Sequence, residues 1–85
     1  MPLEEIKTCS QKLIGTKQVK KALARGGVKK VFLAADAEHH IIEPLKNLCQ
    51  QNRVEFEMVD SMEIIGRACG IDVGSATVAV LQSEE

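Results

Sequence analysis

The stretch that most constrains this chain is Val28–Ala35, V-K-K-V-F-L-A-A. Its second half is continuously apolar. A half-exposed strand alternates apolar and polar residues, whereas a strand buried on both faces does not. The stretch therefore predicts an interior strand, covered above and below, and Asp36-Ala37 ends it. The flanking segments supply the cover.

Before the strand lies I-G-T-K-Q-V-K-K-A-L-A-R, Ile14 to Arg25. Gly15 allows a sharp turn and close approach of another molecule. Thr16 is the expected N-cap of a short helix. At about 100° per residue, Lys17, Gln18, Lys20, Lys21 and Arg25 share one arc. Val19, Ala22 and Leu23 fall on the other. Gly26-Gly27 closes the helix as C-cap and turn. Upstream, Pro2, Glu4 and Glu5 suit a helix start, and a short helix is expected over about Leu3–Ser10. Gln11–Ile14 reads equally as the end of that helix or as a short strand.

Downstream, Glu38–Gln51 is expected to be mostly helical. Pro44 starts or kinks its longer part, and Ile41, Ile42, Leu45, Leu48 and Cys49 form its apolar stripe. Val54–Val59 alternates as a half-exposed strand near an edge, with Val54, Phe56 and Met58 inward and Glu55 and Glu57 outward. Asp60-Ser61 can cap a helix over Met62–Cys69. Gly66 weakens that helix, and close packing against a strand is the expected reason. Gly70 stops it. Ile71 to Ser75 is a loop, Ala76–Leu81 a last buried strand, and Ser83-Glu84-Glu85 a tail expected to fray. Alternating helices and strands predict a single α/β domain, an α/β/α sandwich around a small mixed sheet.

Charge separates along this chain although its net value is only −1. From Ile6 to Ala35 there are eight Lys or Arg and no acid, whereas from Asp36 onward three cations face ten acids. A basic first third can hold phosphates, meet an acidic protein or meet an anionic lipid surface. The cationic helix face, beside amides at its positive N-terminal end, suits a polyanion. The alternative for that face is a solvated surface helix. Phe32 and Phe56 are the only aromatics, too few for a stacking platform of the kind many single-strand RNA binders use.

Other chemistry finds little support. Cys9, Cys49 and Cys69 lack ligand spacing, so neither a zinc site nor any other metal site is expected. Reduced thiols suit the cytoplasm. No leader and no apolar run of membrane-spanning length are read, so no membrane role is expected. Asp36, just past a strand, could be a catalytic or phosphoacceptor acid, or a turn and capping residue. His39-His40 point about 100° apart on a helix and do not converge on one ligand. No nucleotide-binding motif occurs, and no catalytic residue or cofactor is assigned. In Ile71-Asp72-Val73, two branched apolar residues flank an acid. They either fold inward as satellites of the core or present an apolar surface to a flipped-out base.

Three pieces together, G-T-K-Q-V-K-K-A-L, V-F-L-A-A-D-A and M-E-I-I-G-R-A-C-G-I-D-V-G-S-A, resemble the kink-turn-binding ribosomal proteins. That family includes large-subunit ribosomal proteins of archaea and eukaryotes and the core protein of box C/D guide particles. The chain is most similar to its small bacterial ribosomal-protein-like branch, from about Ile6 to Leu81. The resemblance implies a three-layer α/β/α sandwich around a four-stranded mixed sheet, with Gln11–Ile14 a short strand. It implies binding to a kink-turn, an internal loop whose tandem sheared G·A pairs sharply bend two RNA helices. One contact segment falls on Gly15, Thr16, Lys17, Gln18 and Lys21, the other on Ile71, Asp72 and Val73. Many members have Asn-Glu where this chain has Lys17-Gln18, which changes the hydrogen bonds available to guanine edges; other members carry Lys-Gln.

On this reading the protein is not an enzyme. Lys17, Lys20, Lys21 and Arg25 meet phosphates, Lys17 and Gln18 read bases, and Ile71 and Val73 cover extruded ones. The expected partner is a kink-turn in ribosomal RNA, a riboswitch or another structured RNA, bound by a cytoplasmic monomer working with the ribosome. The alternative is a protein-interaction or dimerisation module of the same fold.

Overall fold

The computed structural model describes residues 11–81. The helix expected over Leu3–Ser10 and the tail at Ser83-Glu84-Glu85 lie outside the described residues. The described chain runs β1 (Lys12–Ile14), α1 (Thr16–Arg25), β2 (Val28–Ala34), α2 (His39–Gln51), β3 (Glu55–Val59), α3 (Met62–Cys69) and β4 (Thr77–Leu81). The strands form one mixed sheet in the order β1-β4-β2-β3. β4 pairs antiparallel with β1 and β2, and β3 pairs parallel with β2. Gln11–Ile14 thus resolves as a strand at one edge.

β2 is interior, as its composition requires. Residues 31–34 are fully buried, with alternate side chains facing opposite layers. Val31 and Leu33 pack with Ala79 against Val19 and Leu23 of α1 and Leu45 and Cys49 of α2. Phe32 and Ala34 pack with Val78 and Val80 against Ile65 and Ala68 of α3. Full burial of a Leu or Phe stabilises by about 1.5–3 kcal/mol, so each layer is secured by a handful of side chains. Pro44 is the sixth residue of α2 rather than its start. The helix passes through it and forgoes one backbone bond, to the His40 carbonyl.

β3 forms the other edge and departs from simple alternation. Glu57 is half-buried because Lys30 Nζ, on the neighbouring strand, lies 2.9 Å from its Oε1. The same ammonium lies 3.9 Å from Glu55 and 5.1 Å from the centre of the Phe32 ring. Met58, expected inward, is 41% exposed, because an outermost strand has no further strand to shield its margin.

β1, β2 and β3 all finish at the end of the sheet where β4 begins, since Ile14 pairs with Val78, Leu33 with Thr77 and Ala34 with Val59. Each of those three strands leads into a helix. α1, α2 and α3 therefore all start at that end, and the positive ends of their dipoles gather there.

Candidate nucleic-acid interface

α1 begins without a cap. Gly15, not Thr16, is its N-cap, and no side chain accepts from the first turn. Backbone geometry decides this. Gly15 donates its N–H to the Thr77 carbonyl at 3.1 Å, extending the β1–β4 pairing. It then turns at φ 102 and ψ 151, a conformation that favours glycine. Its own carbonyl accepts the first helical bond, from Val19 at 3.0 Å. Thr16 is therefore already helical. The amides of Thr16, Lys17 and Gln18 have no partner within the helix, and no acid occupies the first turn. Around them Lys17, Gln18, Lys20, Lys21 and Arg25 are exposed, while Thr16 is half-buried. Lys17, Lys20, Lys21 and Arg25 make no ion pair with any described residue.

α3 begins in the opposite manner. Ser61 Oγ accepts the Ile64 N–H at 3.2 Å, and Asp36 Oδ1 accepts the Met62 N–H at 2.9 Å. Asp36 is thus a capping residue, though for a helix 26 residues away in sequence. Glu63 adds a carboxylate to the first turn. His39 and His40 are exposed, and His40 Nδ1 lies 3.9 Å from Glu38.

The segment after α3 climbs back along that helix. Gly70 closes α3 at φ 78. Ile71 donates to the Gly66 carbonyl at 3.0 Å and Ser75 to the Met62 carbonyl at 3.1 Å. The backbones are so close that a Cβ on Gly66 would collide with the Val73 carbonyl. The close packing expected at Gly66 is therefore against this loop and not against a strand. Ile71 is half-buried and Asp72 exposed. Val73 is 70% exposed, which sets aside the inward alternative for that residue. With Glu63, Arg67 and Gly74, residues 71–73 line a shallow depression of about 300 Å³. Arg67 Nη2 lies 2.9 Å from Glu63 across it.

One atom joins the two stretches. The Thr77 carbonyl accepts both the Gly15 N–H, at 3.1 Å, and the Ser75 hydroxyl, at 2.8 Å. Thr77 is fully buried, and its own hydroxyl donates to the Phe32 carbonyl at 2.8 Å. Nothing in the sequence pattern marks Thr77, because its role rests on a backbone oxygen.

Elsewhere, no group of three metal-ligating side chains occurs among the described residues, and no helix among them is long and apolar enough to cross a membrane. Burial pushes the Cys49 thiol up to about 11. Cys69 is also raised by burial, partly opposed by the positive charge of Lys12.

The model of the ribosomal protein L7Ae/L30e/S12e/Gadd45 family matches residues 4–85. The chain belongs to this family. Its L7Ae-type relatives include an RNA-binding protein of Bacillus pumilus, 40% identical over 95% of this chain and 99% of that one. Another is the RNA-binding protein YbxF of Geobacillus stearothermophilus, 39% identical over 96% of this chain and 100% of that one. Among solved structures, a Bacillus halodurans protein of unknown function superposes with a TM-score of 0.86 at 27% identity, covering 95% of this chain and 84% of that one. The Giardia lamblia 15.5kD RNA binding protein shares the fold, with a TM-score of 0.88 at 24% identity over 98% of this chain and 72% of that one. The L7Ae-family sandwich, with helices on both faces of a four-stranded mixed sheet, is the architecture expected from the resemblance. The curated relatives of this L7Ae-family member are named as RNA-binding proteins.

Proposed function

We propose that this protein binds kink-turns in structured RNA and stabilises their kinked form. The observation that carries this reading is the pairing of two unlike surfaces at one end of the sheet. The first turn of α1 has open amides among exposed cations, and beside it Val73 projects from a tightly held loop. The names of the relatives support RNA as the partner.

The mechanism is selective binding. Free RNA samples open and kinked states, and a protein that binds only the kinked one shifts the population toward it. Bringing two stems together crowds their phosphates. Lys17, Lys20, Lys21 and Arg25 offset that repulsion, with the amides after Gly15 adding a fixed positive end. Lys17 donates to guanine O6 and N7 as a point charge, and Gln18 pairs with base edges as a neutral amide. Ile71 and Val73 give extruded bases an apolar rest, with Asp72 between them. The contact set is Gly15, Thr16, Lys17, Gln18, Lys20, Lys21, Arg25, Ile71, Asp72 and Val73, on one domain spanning residues 1–85. It acts as a cytoplasmic monomer on ribosomal RNA, a riboswitch or another structured RNA, in association with the ribosome.

The test is a gel-shift and FRET titration of a kink-turn duplex, beside a duplex with its G·A pairs replaced. The reading requires tight binding to the first alone, with the two arms closing as protein is added. Equal, weak binding to both would reduce the site to a nonspecific basic patch and favour a protein-interaction module.

A further inference from the structure

From Asp36 onward the chain has three cations among ten acids. Lys46 lies 3.8 Å from Glu43, and Arg67 lies 2.9 Å from Glu63. Arg53 is the third, and among the described residues it alone of the three has no carboxylate partner. Its backbone is unusual as well. At φ 56 it is the only described residue other than glycine with positive φ. This left-handed turn follows the C-cap Asn52, where glycine is the residue that fits without strain. The turn uses only the backbone of Arg53, whose N–H donates to the Gln50 carbonyl at 3.3 Å. The side chain is exposed. The fold has a use for the turn and none for the guanidinium.

The topology places Arg53 beside the basic third of the chain. β2 and β3 run parallel with Lys30 opposite Glu55. The two strands are therefore entered from the same end of the sheet, β2 at Val28 and β3 through the turn at Arg53. Arg25 ends α1 three residues before Val28, and Lys29 follows it, exposed. α1 and α2 pack together on the same face of the sheet. The outer face of α1 therefore leads from Lys17, past Lys21, to Arg25 and then Arg53. Lys17 and Arg25 are about 12 Å apart along the axis. An RNA stem passing along α1 from Lys17 therefore reaches Arg25 and then Arg53 only if it extends for several base pairs.

We infer that Arg53, with Arg25 and Lys29, forms a second phosphate-binding patch at the far end of the sheet, which grips one stem of the bound RNA. This rests on the kink-turn reading and adds to it a dependence on stem length. The patch carries no base information, because phosphate contacts position an RNA without reading it.

The experiment compares kink-turn RNAs in which each arm in turn is cut from about ten to about four base pairs. The unsubstituted protein binds the long form of one arm more tightly. Arg53→Gly weakens that complex roughly three- to tenfold and lowers its salt slope by about one. It leaves binding to the short form within about twofold of the unsubstituted protein, and Arg53→Lys restores most of the loss. Glycine is at home at this φ, so thermal unfolding of Arg53→Gly should occur no lower than that of the unsubstituted protein. Equal affinity of Arg53→Gly and the unsubstituted protein for every long-armed RNA would remove the patch alone. Absence of G·A-dependent binding by the unsubstituted protein would remove the kink-turn reading and the patch with it.

Discussion

The first turn of α1 and the loop between Gly70 and Ala76 lie at the same end of the sheet but are built by opposite means. The α1 surface consists of bonds left unmade: a glycine N-cap, open amides, and four cations without a described ion-pair partner. The loop surface consists of bonds made. Two backbone bonds tie residues 71 and 75 to α3, a hydroxyl ties Ser75 to Thr77, and Gly66 admits backbone contact too close for a side chain. Long lysine side chains lose rotamer freedom when they bind, but they adapt to phosphates that are not in fixed places. A valine held by a fixed backbone gives up little on binding and adapts to nothing. The charged half thus supplies salt-sensitive attraction, and the apolar half supplies the shape that an open RNA does not match.

The comparison breaks most severely at Gly66. Gly66→Ala puts a methyl into the Val73 carbonyl, and we expect about 2–3 kcal/mol of destabilisation in urea unfolding. Unchanged stability would mean that the loop is not held as described. Replacing both Lys17 and Lys21 by alanine tests the other half. Binding should fall roughly a hundredfold and the salt slope by about two, while stability changes by less than about 0.5 kcal/mol. A kink-turn affinity equal to that of the unsubstituted protein would displace the interface from α1. Val73→Ser should be gentler. At 70% exposure the side chain contributes little to folding, so only affinity should drop, by roughly three- to tenfold, with the salt slope intact. A changed slope would show that the loop acts through charge after all.

Local patterns were legible where short-range physics decides. The continuously apolar second half of Val28–Ala35 marked the interior strand, and helical spacing correctly assigned Val19, Ala22 and Leu23 to the core side of α1. The bounds of Met62–Cys69 followed from Ser61 and Gly70. What the sequence hid depends on residues distant in the chain. Thr16 resembles an N-cap in isolation, but the bond from Gly15 to Thr77 fixes the start of the helix one residue earlier. Asp36 was readable as a capping residue, but not as the cap of α3, 26 residues further on. Glu57 looked outward until β2 brought Lys30 against it. For the site itself, sequence pattern could place cations on one helix face, but not the exposure of Val73. That exposure follows from the contact between Gly66 and the loop.

The shared Thr77 oxygen has a consequence for how this surface can vary. The span between the two contact stretches is held by main-chain atoms and two buried hydroxyls that donate to them, not by the side chains that face outward. Drift at Lys17, Gln18 or Val73 therefore changes what is gripped without moving the jaws. One scaffold can accommodate new sequences on both lips while the gap it measures stays the same.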